Sequence, residues 1–172
     1  MLPVVWLDGN KEGAMTDGEI EALIAERKDI TNPSARWIIQ RGSRQKTFQL
    51  ELAEGMPSME LKLRQSIKDP DSFSCVLLCH LGGGEKITLR RYNGSNHVHG
   101  NALDRHMPDI TFTCHVHMAR QRYIEAGLKA DGFAVPATYS DFDGALLQVM
   151  QDCNIHGFTQ RNAGPTSDLY DD

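Results

Sequence analysis

Thr47-Phe48-Gln49-Leu50-Glu51-Leu52-Ala53, followed by Met59-Glu60-Leu61-Lys62-Leu63-Arg64, alternates apolar and polar side chains at a period of two. Successive strand side chains point to opposite faces, so both segments read as half-buried strands. Phe48, Leu50, Leu52, Met59, Leu61 and Leu63 then share the covered side. Working outward, Asp69-Pro70-Asp71-Ser72 is a turn signal, and the denser apolar run Phe73 to Leu81 suits the centre of a sheet. Gly82-Gly83-Gly84-Glu85 connects it to a strand from Lys86 to Tyr92, which Asn93-Gly94 ends. Ala35 to Gln40 and residues 110–116 complete about six strands.

Helices bracket this run. Thr16-Asp17-Gly18-Glu19 has capping-box spacing and opens a helix from Asp17 to about Lys28, with Ile20, Leu23 and Ile24 on one face. Ser140 is placed to cap a C-terminal helix whose stripe is Phe142, Ala145, Leu146, Val149, Met150 and Cys153. Residues 118–126 read as a short helix stopped by Gly127 or, alternatively, as a continued strand. The order predicts an α+β domain: a mainly antiparallel sheet covered by helices on one side. Residues 1–159 form that domain, the first ten as a lead or edge strand, and 160–172 a flexible acidic tail.

The chain has 172 residues and a net charge of −5, distributed unevenly. Residues 36–92 carry +4, whereas 1–35 carry −4 and 128–172 carry −5. Cys75, Cys79, Cys114 and Cys153 fall at apolar positions without a CxxC spacing, as core residues of a reducing compartment do. Met1 to Leu7 is too short for a membrane span and lacks a basic leader. The expected setting is cytoplasmic, without a membrane partner.

Five of the seven histidines lie between Asn93 and Tyr123. His97-Val98-His99 falls in a Gly/Asn-rich loop, His106 follows, and His115-Val116-His117 sits in the alternating segment 110–118. One unbroken strand there presents Thr111, Thr113, His115 and His117 on one face. Imidazoles titrate near neutrality and are common metal ligands, so two chemistries are open.

The first is phosphodiester cleavage without metal, which needs an acid–base pair and cations for the developing charge. His115 and His117 serve as the pair, Arg90 and Arg120 as phosphate clamps, and Tyr92 as stacker or auxiliary acid. This requires Arg90 and Tyr92, or alternatively Arg91, to share the histidine face. The protein then acts on RNA or a nucleotide as a toxin-like ribonuclease, with no cofactor. The second is a transition-metal site, such as zinc, held by His97, His99, His115 and His117, with Asp104 or Asp109 as a carboxylate ligand. A third reading is a non-enzymatic inhibitor or antitoxin whose acidic ends capture a basic protein partner.

Arg90-Arg91-Tyr92-Asn93-Gly94, His97-Val98-His99-Gly100-Asn101 and His115-Val116-His117 with Arg122-Tyr123 together resemble a group of small uncharacterised bacterial and phage proteins. Ala134 to Tyr139 and Asp152-Cys153-Asn154 extend that resemblance over roughly 17–155. It implies a bacterial or mobile-element setting and carries no activity with it.

Overall fold

A computed structural model describes residues 14–158. The expected N-terminal lead and acidic tail lie outside the described residues. The elements are α1 (Asp17–Ala25), β1 (Lys28–Ile30), β2 (Ile38–Gln40), β3 (Ser43–Glu51), β4 (Met59–Ser66), β5 (Phe73–Gly82) and β6 (Glu85–Asn93). They continue with β7 (Val98–His99), β8 (Ile110–Thr111), β9 (His115–Met118), α2 (Gln121–Glu125), β10 (Phe133–Pro136), α3 (Phe142–Asp152) and β11 (Ile155–His156).

The sheet holds nine strands among the described residues, rather than about six. Its order is β10-β9-β6-β5-β4-β3-β1-β11, with β2 paired to the N-terminal half of β3. All pairings are antiparallel except β1 with β11. The extra strands, β1, β10 and β11, are two to four residues long, too short for alternation to register in sequence.

One face carries the core. Phe48, Leu50, Met59, Leu61, Leu63, Cys75, Leu77 and Cys79 pack there against Ile20, Leu23 and Ile24 of α1 and Phe142, Ala145, Leu146 and Val149 of α3. Burying each large apolar side chain contributes roughly 1.5–3 kcal/mol, so this layer dominates the fold's stability. All four cysteines are buried and free. No helix among the described residues is long and apolar enough to cross a membrane.

Helix α1 has both halves of the expected capping box, with Glu19 N–H donating to Thr16 Oγ1 and Thr16 N–H to Glu19 Oε2. It stops at Ala25, short of Lys28, because Glu26 turns extended (φ −62°, ψ 140°). Lys28 is fully buried, and its ammonium donates to Ile24 O, Glu26 O and Cys153 O at 2.7–2.9 Å. One cation thus satisfies carbonyls at the C-terminal ends of α1 and α3, where the helix dipole favours positive charge. At the start of α3 the cap is Asp141, one residue beyond the expected Ser140, accepting from Gly144 N–H.

The expected single strand through residues 110–116 is broken. Phe112 has φ 45°, a left-handed conformation that no strand continues through. Before the break, β8 pairs with β7 in a separate ribbon; after it, β9 joins the main sheet between β6 and β10. The break folds the segment so that Thr111 and Thr113 are solvent-exposed while His115 and His117 are buried. Met118 still belongs to β9, and the expected short helix begins at Gln121.

Candidate metal centre

His115 and His117 stand two residues apart on β9, facing away from the helices. Their cross-strand neighbours are Asn93 and Arg91 on β6 and Pro136 and Ala134 on β10. The β7–β8 ribbon lays the loop histidines over them. Ring centroids lie 4.7 Å apart for His97–His115, 5.0 Å for His115–His117 and 4.5 Å for His99–His117. One ring nitrogen each from His97, His115 and His117 falls within 4.8 Å of the others.

Hydrogen bonds fix the tautomers. A carbonyl only accepts, so the imidazole nitrogen facing one must carry the proton. His115 Nδ1–H donates to Thr113 O at 2.8 Å, and His117 Nδ1–H to Asp131 O at 2.9 Å. Each Nε2 therefore keeps its lone pair. His115 Nε2 is buried and has no hydrogen-bond partner among the described residues. His97 Nδ1 lies 2.9 Å from Asn96 Oδ1. A backbone or amide oxygen that fixes the remote N–H is the usual support of a metal-ligating histidine.

Both strand imidazoles are held neutral. Burial pushes the His117 imidazolium down to about 3, opposed by the Asp131 carbonyl and helped by His99, His115 and Arg91. Burial likewise lowers His115, against the Thr113 carbonyl. Neutral rings are the ligating form.

His99 does not join the other three. Its Nε2 lies 3.1 Å from both Gly132 O and Asn101 Oδ1, so that nitrogen donates and the ring flanks the site. Nor do the candidate carboxylates reach it. Asp104 accepts from Arg122 and from the Tyr123 hydroxyl, and Asp109 approaches Gly100 instead.

The remaining expected site residues point elsewhere, and a β-bulge is the reason. In the β5–β6 ladder Leu77 pairs with Arg90 and Leu78 with Thr88, leaving Leu89 without an opposite number. The alternation inverts there. Arg90 and Tyr92 consequently turn to the helix side, correcting the expectation that they share the histidine face; the alternative, Arg91, faces His117. Arg90 binds Glu21 of α1 at 3.0 Å, and Arg120 approaches the same carboxylate at 3.5 Å. Tyr92 is fully buried, and its hydroxyl donates to Asp152 at 2.9 Å. Burial first, with Cys153 and Asp152 beside it, raises that phenol far above its ordinary range.

Two supports were not singled out from the sequence. Asp131 takes Arg91 on its carboxylate at 2.8 Å while its carbonyl orients His117. Asn101 pairs its amide with both backbone groups of Ala134 on β10 (2.8 and 2.9 Å) and touches His99. The only sequence signal for Asn101 is its place in the His97–Asn101 loop motif. Compared with known protein families, curated proteins and solved structures, the chain finds no match.

Proposed function

We propose that the protein is a metal-dependent enzyme of the hydrolytic class, built on a single divalent transition-metal ion held by His97, His115 and His117. The observation that carries this reading is the buried, partnerless Nε2 of His115, with two further imidazole nitrogens converging beside it. A buried acceptor left unpaired costs about 1–3 kcal/mol, and a metal ion removes that cost. Three imidazoles with one position left for water match the donor set of catalytic zinc sites. Zinc in such a setting lowers the pKa of its water to about 7.

The metal-free reading with His115 and His117 as acid and base has less support. Both rings carry their proton on a nitrogen tied to a carbonyl, and both are held neutral, which leaves two bases and no acid. Arg90, Arg120 and Tyr92 are engaged on the helix side.

Titration calorimetry of untagged protein with zinc tests the proposal. One ion per chain is expected, and His115→Ala and His117→Ala should each abolish the tight phase. Wild-type binding no tighter than that of the double variant overturns it.

A further inference from the structure

The sheet face opposite the helices continues from the metal centre without interruption. Ladder registers place Lys62 opposite Val76, Val76 opposite Arg91, and Arg91 opposite His117, in one row across four strands. A second row runs Arg64, Ser74, Asn93, His115. Neighbouring strands are about 4.8 Å apart, so Lys62 stands roughly 14 Å from His117 along its row. Lys62 and Arg64 are exposed, and Arg64 forms no ion pair among the described residues. Lys86 adds a further cation beside Glu60, which it shares with Lys62.

On β4, β5 and β6 of this face Lys62, Arg64, Lys86 and Arg91 stand against Glu60, with Asp131 beside Arg91. The surplus lies on a chain whose net charge is −5. A single phosphate would span neither row. An anion with charges repeated along its length fits the spacing, and the recessed histidines admit a flexible strand rather than a rigid duplex.

We propose that this open face binds single-stranded nucleic acid and leads a phosphodiester toward the histidine centre. The substrate class rests on the metal reading; the binding surface does not. Lys62 and Arg64 form the distal clamp, and Arg91, oriented by Asp131, stands between that clamp and the metal.

Fluorescence anisotropy with a labelled oligouridine of about 12 nucleotides tests the surface, on zinc-loaded and zinc-free protein. Binding should weaken with salt, with a logarithmic slope of about −2 for three contacts. The Lys62→Gln/Arg64→Gln protein should lose about tenfold in affinity at about 50 mM salt while its zinc stoichiometry is unchanged. His115→Ala should lose zinc and keep oligonucleotide affinity. Oligonucleotide binding that depends on Lys62 and Arg64 in a protein that takes no zinc supports the surface and overturns the metal reading alone. In a protein that takes zinc, oligonucleotide affinity unaltered by Lys62→Gln/Arg64→Gln, no oligonucleotide binding at all, or equal competition by polyglutamate overturns the surface.

Discussion

Truncating Asn101 to alanine separates the loop half of the metal centre from its sheet half. The amide makes two hydrogen bonds to the buried Ala134 backbone and one to His99, all at 2.8–3.1 Å. Each buried pair contributes about 1 kcal/mol net, and an Ala134 N–H left dry costs a further ~1–3 kcal/mol. The sum is a loss of roughly 2–5 kcal/mol, the upper end applying if no water enters. Urea denaturation should show it as a lower midpoint at unchanged slope. Because the loop carries His97, zinc affinity should also fall about 10–100-fold, the usual effect of removing a support of a metal ligand. Asn101→Asp keeps the acceptor for Ala134 N–H but sets a carboxylate against Ala134 O, so it should recover only part of either loss. A midpoint shift equivalent to less than about 0.5 kcal/mol, with zinc affinity intact, would refute the clamp.

Other perturbations probe separate parts of the argument. Saturating zinc at about 100 times its dissociation constant should add about 2.7 kcal/mol of stability, read as a rise of roughly 5–11 °C in Tm that His117→Ala removes. His117 stays neutral in the folded chain down to about pH 3, whereas the unfolded chain takes up that proton below about pH 6.5. Zinc-free protein should therefore lose stability as pH falls through that window, and His117→Gln should flatten the slope by up to about 1.4 kcal/mol per pH unit. Lys28→Met strands three carbonyls and should cost about 2–4 kcal/mol in urea melts. Gly94→Ala places a Cβ 1.8 Å from Asp71 O at the root of the histidine loop, and should destabilise the protein by about 3 kcal/mol or more and weaken zinc binding.

Alternation in β3 and β4 was legible because each strand is long and covered on one face only, and β5 was legible as a dense apolar run between turn signals. The capping box of α1 and the stripe of α3 were legible for the same reason: each is a local pattern with one physical solution. The histidine pair on β9 was read correctly as sharing a face. Three things escaped. A left-handed residue at Phe112 broke an otherwise regular alternation, and nothing in its side chain announces that. The bulge at Leu89 reversed the faces of Arg90 to Asn93, since period-two reasoning assumes an uninterrupted ladder. That His97 converges on β9 while His99 stands aside depends on loop closure by Asn101 and the β7–β8 ribbon, a long-range arrangement invisible to local pattern.

The unpaired Leu89 gives β6 two phases. Upstream of it odd-numbered residues face the helices; from Arg90 onward even-numbered ones do, so Tyr92 packs inward and Arg91 meets His117. An extra residue that reverses numbering yet preserves the faces on either side is, geometrically, an insertion the sheet has absorbed. Excising Leu89 leaves Ile87, Thr88, Arg90, Arg91, Tyr92 and Asn93 in one continuous inward–outward order, with every face unchanged. Excising Arg91 instead would bring Tyr92 into register with His117 and send Asn93 inward. A deletion at Leu89 thus keeps the strand's phase, at the cost of a fully buried side chain and the acceptor of the Ala119 N–H, whereas the same deletion two residues later breaks the phase where it is locked to the histidines.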